Sequence, residues 1–239
     1  MTQTNAERFL DAFNRIETAL KNRAGEQGKR TGFWQLVQQS TDLVREQKVR
    51  LQDMATLRNA IVHTTLDRNK VLVADPRDSA VEWLEAQADI IEKPPRVRKA
   101  LKLQRPVILQ PSQELNAFLD EVSEPRNYSQ SPVSLGGGNF GIITTNTVAR
   151  WVAANYEVAA GLLVETVSIA DVLQFAEPED RVEIRQPDLK VVDAIALFSG
   201  QTEPPPAAIL LVERNGNQVS VSGLCVRADL PALYGSIGL

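Results

Sequence analysis

With 239 residues, 43% of them hydrophobic and 23% charged, the chain is long enough for two ordinary domains and has a globular rather than a disordered or fibrous make-up. Neither a signal peptide nor a membrane span is expected: the first eight residues are polar and lead into an amphipathic stretch, and no apolar run has bilayer length. A single cysteine, Cys225, excludes an internal disulfide and points to a reducing cytoplasm, and a single histidine, His63, confines imidazole chemistry to one position.

The net charge of −4 is unevenly spread. Residues 1–95 balance at 14 basic and 14 acidic groups, 96–105 carry five basic groups and no acid, and 106–239 carry 7 basic against 16 acidic groups. The acidic second half argues against wrapping a nucleic-acid backbone there. The basic segment (Arg96, Arg98, Lys99, Lys102, Arg105) reads as a solvated linker or helix, with phosphate contact as the other reading.

Up to Glu92 the hydrophobic period is helical. Phe9, Leu10, Phe13, Ile16 and Leu20 form one stripe. Residues 23–32 read as a loop. A second helix is expected over 33–45, and a third over 49–62 with Leu51, Met54, Leu57 and Ile61 inward. The polar, β-branched stretch 64–70 stops that helix near His63. Asp75-Pro76-Arg77-Asp78 opens a fourth helix, which Pro94-Pro95 ends.

Beyond that boundary the period changes. Strand 107–109, helix 112–122, strand 132–134, a glycine-rich turn over 135–139, strand 140–143 and helix 146–154 follow in order. The order then repeats: strand 181–185, helix 189–198, strand 207–212, a hairpin turn at Asn215-Gly216, strand 219–226 and a short helix over 228–233. Gly136-Gly137-Gly138 lacks the Lys-Ser/Thr and helix of a phosphate loop, so it reads as a hairpin turn. Cys225, in an apolar strand, reads as a buried inert thiol.

Both repeats carry a motif at their last strand-to-helix turn. The first reads Tyr128-Ser129-Gln130-Ser131-Pro132-Val133, then Phe140-Gly141-Ile142-Ile143-Thr144-Thr145-Asn146-Thr147; the second reads Gly223-Leu224-Cys225-Val226-Arg227-Ala228-Asp229-Leu230. Residues 106–239 on this basis resemble a tandem CBS-domain pair, with repeats at 106–155 and 181–239 joined by 156–180. The resemblance implies clefts for an adenine nucleotide (AMP, ADP, ATP or a dinucleotide) as regulatory ligand, with Thr144, Thr145, Thr147, Arg227 and Asp229 as candidate contacts. The sequence departs from the pattern twice: Thr147 stands where the ribose-binding acid would be, and Val226 replaces the hydroxyl residue. A pair of structural modules that mainly dimerise is the other reading.

The third helix ends Leu57-Arg58-Asn59-Ala60-Ile61-Val62-His63. Arginine, four residues, then histidine, with a polar residue after the arginine, resembles the signature of HEPN domains, and residues 1–95 match their helix order. That resemblance implies a dimeric, metal-independent ribonuclease with Arg58, Asn59 and His63 catalytic. Asn59 and His63, four apart, share a helix face, whereas Arg58 lies on a different face, so it must reach round or the helix must open before His63. Arginine offers a planar fork to a phosphodiester. Histidine can take a proton from a ribose 2′-hydroxyl or give one to the leaving oxygen. With one histidine per chain, a homodimer would bring the two that both jobs need. Glu17 reads as a surface ion pair or as a further member of the site.

The expected fold class is α+β and multidomain: a four-helix HEPN-like bundle over 1–95, a basic linker over 96–105, and the repeat pair over 106–239. The expected function is a nucleotide-regulated endoribonuclease, with RNA as substrate and a defence or stress role by analogy. The alternative is a non-enzymatic dimeric nucleotide-binding regulator whose helical domain binds protein or RNA. One histidine and one cysteine cannot make a zinc site, and no serine sits on a nucleophile elbow.

Overall fold

A computed structural model describes residues 3–26, 30–63, 75–123, 125, 127–155, 167–201, 203–216 and 218–239, the side chains of His63 and Gln201 excepted. The expected helix stop over 64–70 lies outside the described residues, as do parts of the expected loop over 23–32 and of the connection over 156–180. Two compact units result: one of Met1–Arg96 with Lys190–Asp193 and Ala232–Leu239, the other of Val97–Leu189 with Ala194–Pro231.

The first unit is built on α1 (Asn5–Ala24), α2 (Phe33–Gln39), α3 (Arg45–His63) and α4 (Asp78–Glu92). Thr4 starts α1 with a reciprocal cap: its hydroxyl accepts from Glu7 N, and its own N donates to the Glu7 carboxylate. Gly25, at φ 65, closes that helix in the left-handed region. Phe9, Phe13, Ile16 and Leu20 are buried as the period predicts, against Leu51, Ile61, Val81, Leu84 and Ile91. Ion pairs of Arg8 with Glu85, and of Arg15 with Asp89 and Glu92, flank the α1–α4 seam.

The second helix ends six residues before the expected Arg45. Ser40 turns to extended backbone at ψ 124, and its hydroxyl accepts from Asp42 N at 3.3 Å. A Ser-Thr-Asp run offers the backbone such local partners, which compete with helix continuation. Gln47 and Gln87 are buried polar residues of this unit. Gln47 Nε2 donates to Gln87 Oε1 at 2.7 Å, and Gln87 Nε2 donates to the Ile237 carbonyl at 3.0 Å. Trp83 Nε1 donates to the Gly238 carbonyl at 3.3 Å. Segment 232–239 is thus hydrogen-bonded into the helical core.

In the second unit, α5 (Val97–Ala100) lies within the basic segment, and two β-α-β-β-α repeats follow. In the first, Leu109 bridges Val133 in parallel, β1 (Gln130–Gly136) pairs antiparallel with β2 (Asn139–Thr144), and α7 (Thr145–Asn155) follows; α6 (Asn116–Val122) precedes β1. In the second, β3 (Val182–Arg185) pairs parallel with β4 (Ala208–Asn215), which pairs antiparallel with β5 (Gln218–Val226). In the chain, α9 (Val191–Ala196), whose first three residues belong to the first unit, lies between β3 and β4, and α10 (Leu230–Ser236), which belongs to the first unit from Ala232 on, follows β5. Both repeats therefore share one strand order.

The expected strand 107–109 is reduced to the single bridge at Leu109. The helix expected from Ser112 starts at Asn116, because residues 111–115 pair with the backbone of 167–170 instead (Leu115 N to Val167 O, 2.8 Å; Ile169 N to Gln113 O, 2.8 Å). That partner segment begins an unforeseen helix, α8 (Ile169–Leu173), started by Ser168 and Asp171 as a reciprocal cap. The glycine run 136–138 is a hairpin turn with all three residues at positive φ. Among the described residues, no helix is long and apolar enough to cross a membrane.

Candidate functional site

The first candidate site lies where β2 hands over to α7. Thr144 Oγ1 accepts from Thr147 N at 3.0 Å, capping the new helix. Both threonine hydroxyls then turn to one carboxylate. Thr144 Oγ1 lies 3.0 Å from Asp180 Oδ1, and Thr147 Oγ1 lies 3.2 Å from Asp180 Oδ2. Asp180 also accepts from Glu177 N at 3.2 Å and pairs with Arg150, whose Nε is held by the Phe175 carbonyl at 2.9 Å. The Asp180 side chain is 8% exposed, so this is a nearly buried charge with its partners in place.

A cleft of about 210 Å³ opens beside this network. From the first repeat it is lined by Ser129, Gln130, Thr144, Thr145 and Asn146; from the second by Ala207, Arg227 and Ala228; between them stand Glu179 and Asp180. The strand-to-helix turns of both repeats therefore face one space. Of the five residues expected to touch a nucleotide, Thr144, Thr145 and Arg227 line it. Thr147 is wholly buried behind it, and Asp229 accepts from Val226 N at 2.8 Å as a cap. Arg227 Nε donates to the Pro206 carbonyl at 2.9 Å and Nη2 to that of Pro205, which fixes the guanidinium at the rim. Sequence reasoning did not place Asp180 in this site. It comes from outside both motifs, 36 residues after Thr144, and no local pattern marks it.

Cys225 is fully buried, and burial pushes its thiol well above the ordinary range, with the neighbouring Asp229 carboxylate adding to the effect. That environment disfavours the thiolate.

The second candidate site is on α3. Arg58 and Asn59 line a cavity of about 640 Å³ together with Phe13, Glu17, Gly32, Phe33, Trp34, Gln52, Asp53, Ala55 and Thr56. Arg58 Nη1 donates to Asn59 Oδ1 at 3.3 Å, so the arginine does reach its neighbour's side chain. Its guanidinium lies 5.9 Å from the Phe13 ring centroid. Glu17 forms the expected ion pair, with Lys21 at 2.7 Å, and also faces this cavity. His63 is the last residue of α3, and its side chain lies outside the described residues. Trp34 and Gln52 were not foreseen in this site. Among the described residues there is no cluster of three or more His, Cys, Asp or Glu side chains that could hold a metal.

No protein-family model and no curated protein matches the chain. Among solved structures, it is similar to a hexameric CBS-CP12 protein from bloom-forming cyanobacteria at 14% identity and TM-score 0.41, covering 58% of this chain and 71% of that one. It is similar to a candidate archaeal homologue of g-AMPK from Methanocaldococcus jannaschii at 12% identity and TM-score 0.43, covering 77% of this chain and 63% of that one. Staphylococcus aureus OpuCA is a third such structure, at 15% identity and TM-score 0.37, covering 56% of this chain and 95% of that one.

Proposed function

We propose that the chain is a nucleotide-regulated, metal-independent endoribonuclease, with the repeat pair as adenine-nucleotide sensor and α3 as the cutting element. The observation that carries the sensor reading is the meeting of both strand-to-helix turns at one cleft, with hydroxyl, carboxylate and guanidinium groups on its walls. Carboxylates accept ribose hydroxyls, while Thr145 and Arg227 suit phosphate. A nucleotide regulates only if it favours one arrangement of the protein over another, and coupling of this kind is usually about 1–3 kcal/mol.

The cutting reading rests on Arg58 and Asn59, which share one cavity wall. In the reaction, the ribose 2′-oxygen attacks phosphorus and the 5′-oxygen leaves, giving a 2′,3′-cyclic phosphate and a 5′-hydroxyl. One neutral imidazole takes the 2′ proton, and an imidazolium from the second protomer of a homodimer protonates the leaving oxygen. Arg58 would balance the charge gathering on the phosphoryl oxygens.

Two measurements test these readings. A panel of adenine nucleotides should raise the melting temperature, by about 2.7 kcal/mol of stabilisation at a hundredfold excess over Kd. Labelled RNA should be cut to cyclic-phosphate ends by the wild-type chain and left whole by His63→Ala. No melting shift with any nucleotide ends the sensor reading, and equal cutting by both chains ends the enzyme reading. A melting shift without cutting leaves a non-enzymatic nucleotide-binding regulator.

A further inference from the structure

The cavity in the helical unit joins aromatic surface to hydrogen-bonding groups in a way that the cutting chemistry does not use. Phe13 and Phe33 pack with ring centroids 4.3 Å apart. Beside them Trp34 is 63% exposed, whereas Trp83 and Trp151 are 8% and 6% exposed. A single exposed apolar side chain is ordinary on a protein surface. An exposed indole on the rim of a cavity is a flat face with room in front of it.

The polar groups of the same wall say what could fill that room. Arg58 Nε and Gln52 Nε2 are buried without a hydrogen-bond partner among the described residues. Buried donors nearly always have an acceptor, and both belong to side chains that line the cavity, so a small rotation of either would present a donor to an acceptor brought from outside. Charge narrows the choice. Glu17 is neutralised by Lys21, which leaves Asp53 and Arg58 as one carboxylate and one guanidinium in the lining. A near-neutral, aromatic-walled space suits a neutral heteroaromatic ring with one flanking phosphate better than a free triphosphate. Its volume lies inside the usual range for such sites, about 300–1,000 Å³.

We propose that this cavity holds an unpaired nucleobase of RNA, stacked on Trp34 and met on its edge by Gln52 and Asp53, with the adjoining phosphate against Arg58. The inference rests on the reading of α3 as an RNA-cutting site and adds a grip on the base beside the scissile linkage. It also sets the class of substrate. A base in a duplex is stacked on both faces and cannot enter, so single-stranded RNA is the ligand.

Trp34 is the exposed indole, so quenching of its emission reads the cavity directly. The probe is a mixed-sequence RNA oligonucleotide, free or annealed to its complement, titrated into the full-length His63→Ala chain so that no cutting intrudes. The single strand should quench the emission and the duplex should bind at least tenfold more weakly. Adding Trp34→Ala should abolish the quench and weaken binding, read by the label on the RNA, about tenfold. Trp34→Phe should retain most of the affinity, and Gln52→Ala should lose part of it. Melting of the Trp34→Ala chain should be unchanged, since the side chain is mostly in water. Unchanged RNA affinity in Trp34→Ala, or equal binding of duplex and single strand, overturns the pocket. Quenching without cutting by the wild-type chain removes the enzyme reading and keeps the pocket; cutting without quenching does the reverse.

Discussion

Thr147 and Asp180 meet inside the second unit, hydroxyl to carboxylate at 3.2 Å, although 33 residues separate them in the chain. The turn after β2 has a hydroxyl where the resemblance to CBS repeats would put an acid, and an acid arrives there from the segment before β3. The same carboxylate takes the Thr144 hydroxyl and pairs with Arg150. One buried charge thus ties the first repeat to the entry of the second.

Removing that charge should be costly. Asp180→Ala takes one of two carboxylate partners from Arg150, Glu177 at 3.3 Å being the other, and leaves one of two buried hydroxyls short of an acceptor, so the expected loss is about 1–3 kcal/mol. Thr147→Val removes one bond and should cost about 1 kcal/mol. Urea unfolding checks both as a lower midpoint at unchanged slope. The double variant should lose less than the sum, because the two groups share one network.

Gly238 should not tolerate a side chain. It sits at φ 77, and a Cβ there would come within 2.7 Å of Gln87 Nε2. Gly238→Ala should cost about 1–2 kcal/mol from the left-handed backbone alone, with displacement of Gln87 in addition. In a chain of this size that lowers Tm by roughly 2–4 °C per kcal/mol. A melting curve that overlays wild type would refute the placement of segment 232–239.

Acid should weaken the α1–α4 seam. Arg15 donates to both oxygens of Glu92, and that hydrogen bonding lowers the Glu92 carboxyl below the ordinary glutamate value of 4.5. A carboxyl depressed in the folded state contributes stability that is full above its unfolded value and is lost as pH falls through its folded one. The contribution should therefore fade below about pH 4.5, more weakly in high salt because the pair is open to water. Glu92→Gln should remove this part of the acid dependence in thermal melts run from pH 3 to 7.

Cys225 should be silent toward thiol reagents. Its burial and raised pKa keep it protonated at neutral pH, so it should react with a disulfide reagent only on unfolding. Labelling across a urea series should follow the unfolding transition measured by circular dichroism. Rapid labelling of the native chain would contradict a buried β5.

Much of this fold was written in local pattern. The α1 stripe with its Thr4–Glu7 cap, the glycine turn between β1 and β2, and Asn215-Gly216 between β4 and β5 each carry their signal within a few residues. The capping box of α8, Ser168 with Asp171, was equally local and could have been read. The Ser40 break was also local, but apolar residues on both sides of it mimic one continuous helix. Other features were not legible in this way. Asp180 joins the cleft, and Gln87 meets Ile237, through partners dozens of residues away that no spacing announces. For the α3 site, the Arg58-Asn59 pair was legible as a motif, whereas Trp34 and Gln52 join it only through the packing of α2 and α3.

The bond from Gln87 to Ile237 spans 150 residues, and that from Gln47 to Ile237 spans 190. A bundle of local helices would ordinarily close while translation continued behind it. Here the earliest helices to leave the ribosome hold two side-chain amides in wait, and their acceptor is made only after the whole repeat pair has been synthesised. The part of the chain made first is therefore the part finished last.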